Sequence, residues 1–240
     1  MIAALAVVPA TPLLLAENVG RVDPVPELRS AARAAVGSVA AQADRLVVIT
    51  ASDVHPRHSR PPLGARVARE LLPREADEVV VVPWDAPVDV CRGLGSEVAA
   101  AALDPAARTA LVVVADGCAT RTEKAPGHLD PRASRMDADW LLALGCDESR
   151  GDPGEESPAP MRAWTGEELG PATPIDPRAL LALDAGLAGE LLFHGRAPLQ
   201  VLAGALAEDD GSATARGALT AYEVMVGDPF GVRYVVLAAH

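Results

Sequence analysis

Four short apolar runs, at residues 2–8, 46–49, 79–82 and 111–115, set the architecture of the first half of the chain. They are continuous rather than alternating and rich in valine. Such runs mark strands covered on both faces. Between them the apolar residues change to helical spacing. Leu28, Ala32, Ala35, Val36, Val39 and Ala43 line one face of a helix predicted over 25–43, with Pro26 placed where a first helical turn tolerates it. Further helices are predicted over 62–72 and 87–102. Strand and helix alternating in this way imply right-handed βαβ units and a mostly parallel sheet.

The second half is patterned differently. Residues 132–145 read as a helix. Residues 147–175 are rich in proline, glycine and acids and read as a long surface loop or a lid. Helices are predicted over 176–193, stopped by Gly195, over 198–207, and as a short piece near 213–224. A last strand is predicted over 232–237. The expectation is an α/β fold in one domain spanning 1–240, with a mostly parallel, mixed central sheet flanked by helices.

Composition narrows the function classes. Half the residues are hydrophobic but only 3% are aromatic, so the core is built from Ala, Val and Leu. The formal charge of −12 repels phosphate backbones, and Arg57 with Arg60, and Arg132 with Arg135, are pairs rather than basic clusters. Nucleic acid is not an expected partner. No apolar run approaches the ~20 residues of a membrane span. Residues 2–8 carry no positive leading segment and are interrupted by Pro9 and Pro12, which reads as a strand and not a signal peptide. The three cysteines, Cys91, Cys118 and Cys146, show no C-x-x-C spacing and fit a reducing, cytoplasmic setting.

Ligands of open parallel sheets bind beyond the carboxyl ends of the strands. That rule gathers Thr11 after the first strand, Ser52, Asp53 and His55 after the second, and Asp116, Cys118 and Lys124 after the fourth into one candidate pocket. Nucleotide-binding glycine loops and the G-x-S-x-G elbow are absent. Cys118 stands where a nucleophile could, with His55 or His128 as its base; the plainer reading is a small buried residue at a turn. His55 and His58 are three apart, a spacing open to a divalent metal and equally to a solvated loop. His194 reads as a histidine in the last turn of a helix, against its dipole. Of the 21 Lys and Arg residues only Lys124 is lysine. Where arginine serves for every other cation, a retained lysine suggests a need for a compact or titratable amine.

Several stretches resemble a known family: P-x-x-P-L-L-L after the first strand, D-G-C-A-T-R-T-E-K-A-P-G-H-L-D-P-R-A after the fourth, G-R-A-P-L-Q-V-L-A-G-A, and Y-E-V-M-V-G-D-P-F-G-V-R-Y near the end. Together they resemble an actinobacterial branch of the class III extradiol ring-cleavage dioxygenases. That group is typified by the catalytic subunit of protocatechuate 4,5-dioxygenase and shares its fold with Memo proteins. The resemblance covers nearly the whole chain outside 147–175 and implies the extradiol dioxygenase subunit-B fold. It also implies ferrous iron held by two histidines and a glutamate, with a further histidine as acid/base.

At the matching positions this chain has Ala10 for the first ligand, Ala51-Ser52 for the second and Ala119 for the base. Glu223 is the candidate for the glutamate. The expectation is a family member without standard dioxygenase activity, needing no cofactor and binding a small molecule or a protein partner, with homo-oligomers allowed. Whether it is an enzyme stays open. The alternatives are an active dioxygenase acting on a catechol-like aromatic, with Fe(II) held through relocated ligands from His55, His58 and Glu223, and a Cys118-dependent hydrolase or transferase. The catalytic candidates are Asp116, Cys118, Lys124 and His128.

Overall fold

The computed structural model describes residues 1–56, 59–104, 106–147, 162–164, 173–207 and 219–240. The chain forms an α/β fold around one seven-stranded mixed sheet. The first half supplies β1 (Ile2–Val8), α1 (Pro26–Ala40), β2 (Arg45–Ala51), α2 (Leu63–Leu71), β3 (Glu78–Val82), α3 (Val88–Ala101) and β4 (Thr109–Val114). The second half supplies α4 (Arg132–Ala143), β5 (Arg162–Trp164), α5 (Pro177–Leu181), α6 (Ala185–Glu190), α7 (Arg196–Leu206), β6 (Ala221–Gly227) and β7 (Tyr234–Ala239).

The strand order is β3-β2-β4-β1-β7-β6-β5. β4 enters last among the parallel strands yet sits between β2 and β1, parallel to both. β7 runs antiparallel on the other side of β1, and β6 and β5 continue antiparallel to that edge. The start of β7 therefore lies beside the carboxyl end of β1.

Side chains of the central strands alternate between two cores, as the pleat requires. Leu5, Val7, Val47, Ile49, Leu111 and Val113 face α3 to α7. Ala4, Ala6, Val8, Leu46, Val48, Val112 and Val114 face α1 and α2. Both faces being covered, the runs carry no polar alternation. β3 departs from that expectation. It is an edge strand, and Val79 and Val81 are 47% and 41% exposed while Val82 is buried.

The second half corrects several expectations. The helix predicted over 176–193 is two short helices, broken where Asp184 caps α6 by accepting from the Leu187 amide. The helix predicted near 213–224 overlaps the start of β6, and 208–218 lie outside the described residues. Alternation on a paired strand and a short apolar helical face are alike over so few residues. Within the predicted loop 147–175, residues 162–164 form edge strand β5, while 148–161 and 165–172 are not described. Among the described residues no helix is long and apolar enough to cross a membrane.

α3 and α7 cross at backbone contact. A Cβ on Gly95 would stand 2.3 Å from the Val201 carbonyl oxygen, and one on Gly204 would stand 2.6 Å from that of Arg92. Gly93, on the outer face of α3, meets nothing within 4 Å. Gly95→Ala is expected to lower stability by about 1–3 kcal/mol through overpacking. Gly93→Ala should instead gain up to about 1 kcal/mol from helix propensity. Urea unfolding of the two variants checks this, and equal effects would contradict the crossing.

Candidate functional site

A cavity of about 620 Å³ opens at the carboxyl ends of β1, β2 and β4. The strand-end rule selects this rim, and β4's insertion between β2 and β1 brings the three loops together. Ala10 to Leu13 form one wall, Ala51 to Val54 another, and Asp116, Gly117 and Ala119 the floor. His194 and Gly195 enter from the turn before α7. Phe230, Val232 and Tyr234 enter from the approach to β7.

Each wall is pinned by the local fold. Arg29 on α1 donates to the carbonyl oxygens of Leu13 and Leu14 at 2.6 Å and pairs with Asp23, which holds the loop after β1. Asp53 Oδ1 accepts from the Leu63 amide at 2.8 Å, and Ser52 Oγ accepts from the Trp84 amide at 3.3 Å. Behind the floor, the Cys118 amide donates to the buried Asp137 carboxylate at 3.0 Å. Arg121 bonds Asp228 beside it at 2.8 Å. Gly195 brings the turn before α7 against the floor, where a Cβ would stand 2.1 Å from the Asp116 carbonyl oxygen. Only glycine allows that approach, and it places His194 at the cavity.

Asp116 is the chemical centre of the floor. Its Oδ1 accepts from the Ala10 amide at 2.7 Å, and its Oδ2 has no hydrogen-bond partner among the described residues. Burial pushes its carboxyl up to about 7, against the smaller opposing effect of the Ala10 amide. Nearby, the Tyr234 hydroxyl donates to Thr11 Oγ1 at 3.2 Å. Burial, and then the charge of Asp116, push that phenol up to about 12. His194 is half-buried with its ring edge-on to Trp84, centroids 5.0 Å apart. Burial holds it below the usual imidazole range, so it is neutral at pH 7. The cavity lining contains two aspartates and neither lysine nor arginine.

Of the residues predicted for the pocket, Thr11, Ser52, Asp53 and Asp116 come together. His55 does not. It is exposed beyond Val54, outside the wall. Lys124 and His128 are exposed on the outer side of the loop after β4 and do not reach the cavity. That loop turns back on itself, with the Gly127 amide bonded to the Ala119 carbonyl, and this carries residues 123 and 124 away from the rim. Cys118 is sealed in the core, and burial together with the Asp137 charge pushes its thiol well above the usual range, so it is not a thiolate nucleophile. His58 and the Glu223 side chain lie outside the described residues. His194 is no C-terminal-turn histidine of a long helix, because α6 ends at Glu190. Periodicity missed His194 and Tyr234 as pocket residues, since the first needed the α7 packing and the second the reversed direction of β7.

The iron set implied by the resemblance does not fit the residues present. Ala10, Ala51, Ser52 and Ala119 all line the cavity, so methyl and hydroxyl groups stand where the resemblance implies imidazoles. Neither group offers an imidazole lone pair. Among the described residues no three His, Cys, Asp or Glu side chains are gathered to hold a metal.

No protein-family model matches the chain, and no curated protein matches it. Among solved structures, an uncharacterized protein from Escherichia coli K12 aligns over 98% of this chain and 98% of its own, at 13% identity and a TM-score of 0.47.

The raised Asp116 carboxyl has a definite pH signature. Its folded value exceeds the 3.8 of a free aspartate, so the folded state holds a proton that the unfolded state has released. The contribution of Asp116 to stability therefore falls as pH rises from about 4 to about 7 and stays lower above that. Asp116→Asn keeps an acceptor for Ala10 and removes the ionisation. The variant should match wild type near pH 4 and exceed it by about 2–4 kcal/mol at pH 8. Urea unfolding at both pH values checks this; Tyr234, His194 and Asp53 are the other titrating groups at the cavity and are common to both proteins. A difference that does not change with pH would contradict the buried carboxyl. Lys124→Arg, at an exposed position, should change stability by less than about 0.5 kcal/mol in the same assay.

Proposed function

We propose that this chain is a divergent relative of the class III extradiol dioxygenases whose cavity binds a small, largely apolar molecule without the family's iron. The observation that supports this reading is the lining itself. Alanine at 10, 51 and 119 and serine at 52 open onto one cavity, at the positions where the family's ligands and base would converge. A cavity of this size suits a ligand of small-molecule class.

The cavity keeps groups that bind and orient without a metal. Asp116 Oδ2 accepts a hydrogen bond from a ligand, or donates one when protonated. The Tyr234 hydroxyl, committed as donor to Thr11, accepts from a ligand. His194 is neutral and offers one donor and one acceptor nitrogen. The two alternatives draw less support. Relocated iron ligands would need His55, which stands outside the wall, and a Cys118 nucleophile would need a thiol that the core encloses.

Elemental analysis of untagged protein, loaded anaerobically with Fe(II) and then desalted, tests the reading. The expected result is far less than one iron per chain and no ring-cleavage product from protocatechuate. One iron per chain, lost in His55→Ala, together with ring cleavage, would overturn it in favour of relocated ligands.

A further inference from the structure

We propose that the ligand of this cavity is a protonated primary amine on an apolar body, with the ammonium seated on the free Oδ2 of Asp116. The inference rests on the reading of the cavity as a small-molecule site and adds the charge class of what fills it.

Three observations carry it. The first is the unmatched acceptor. Asp116 uses Oδ1 on the Ala10 amide, while Oδ2 opens on the cavity without a protein partner among the described residues. A half-buried carboxylate without a countercharge is costly, and a ligand that brings a cation reduces that cost. The second is the charge of the wall. Asp53 and Asp116 line it, Lys and Arg do not, and His194 is held neutral. An anionic ligand would lose its hydration and meet like charge with no cation to receive it. The third is the apolar remainder. Leu13, Val54, Leu63, Leu192 and Phe230 supply surface for a hydrocarbon or aryl body. An aromatic face also attracts a cation.

Geometry divides the work among the polar groups. A primary ammonium has three N–H donors. One is taken by Asp116 Oδ2; Tyr234 also lines the cavity, and its hydroxyl oxygen, already a donor to Thr11, has acceptor capacity left for a second. Burial raises the Asp116 carboxyl when the site is empty, and an ammonium beside it would draw it back down. Binding of the amine to the protonated protein would then release a proton.

The test uses three probes of one shape on the full chain at pH 7.5: 2-phenylethylamine, 2-phenylethanol and phenylacetate, with Kd measured by ligand-observed NMR titration. The expected order is amine tighter than alcohol, and alcohol tighter than carboxylate, with the amine about tenfold or more ahead of the alcohol, as a charge-assisted hydrogen bond implies. Asp116→Asn should bring the amine-to-alcohol Kd ratio from about tenfold or more to about one, with a urea-unfolding midpoint near pH 4 equal to that of wild type reporting that the fold is intact. Alcohol binding as tight as amine binding, or an amine lead that survives in Asp116→Asn, would overturn the amine assignment and leave the small-molecule reading standing. Phenylacetate binding tightest would do the same. Failure of all three probes to bind at millimolar concentration would overturn both.

Discussion

β4 is hydrogen-bonded along both edges and covered on both faces, and the cavity exists because of that position. A strand inserted last between β2 and β1 forces the loops that leave all three to rise at one place. Its end is also held from behind, where the Asp137 carboxylate accepts from the Cys118 amide and from Trp140 Nε1 at 2.9 Å. Asp116 lies two residues beyond β4, where the backbone is still held on either side. The Ala115 amide bonds the Val8 carbonyl, and the Gly117 amide bonds that of Arg233. Asp116 is half-buried at that held point, with Oδ1 on the Ala10 amide and Oδ2 left available to a ligand.

The same rigidity explains what the loop after β4 does with its remaining residues. It has a buried side, anchored by Asp137, Asp228 and the strand ends, and an outer side that turns back through Gly127. Cys118 falls on the first and Lys124 and His128 on the second. Three residues with chemically suggestive side chains are thereby separated from Asp116, Gly117, Ala119 and Pro126, the residues of this loop that line the cavity. The buried thiol and the exposed amine are each ordinary for their places.

Much of the fold was legible because the parallel strands are buried on both faces, and continuous valine-rich runs have few other readings. β1, β2, β4 and the helices between them follow the predicted spans closely. β3 was legible as a strand but not as an edge, since a run of four valines does not say which face will be covered. The antiparallel half was less legible. The helix predicted near 213–224 runs into the first residues of β6, because a strand of Ala221–Gly227 owes its state to pairing with β7 and not to local preference.

For the site, the order of residues along the chain was enough to place Thr11, Ser52, Asp53 and Asp116 at one rim, because parallel strands all end on the same side. It was also enough to find alanine and serine where histidines would be implied. It could not place His194 or Tyr234. Those depend on a glycine that lets one turn touch the Asp116 backbone and on a strand that runs backwards beside β1. It could not separate Asp116 from Lys124, Cys118 and His128, which share one stretch of sequence. Sequence order determines which loops meet, since strand direction fixes that. Tertiary packing decides which side chains of those loops face inward, because burial and backbone pairing act on each residue separately.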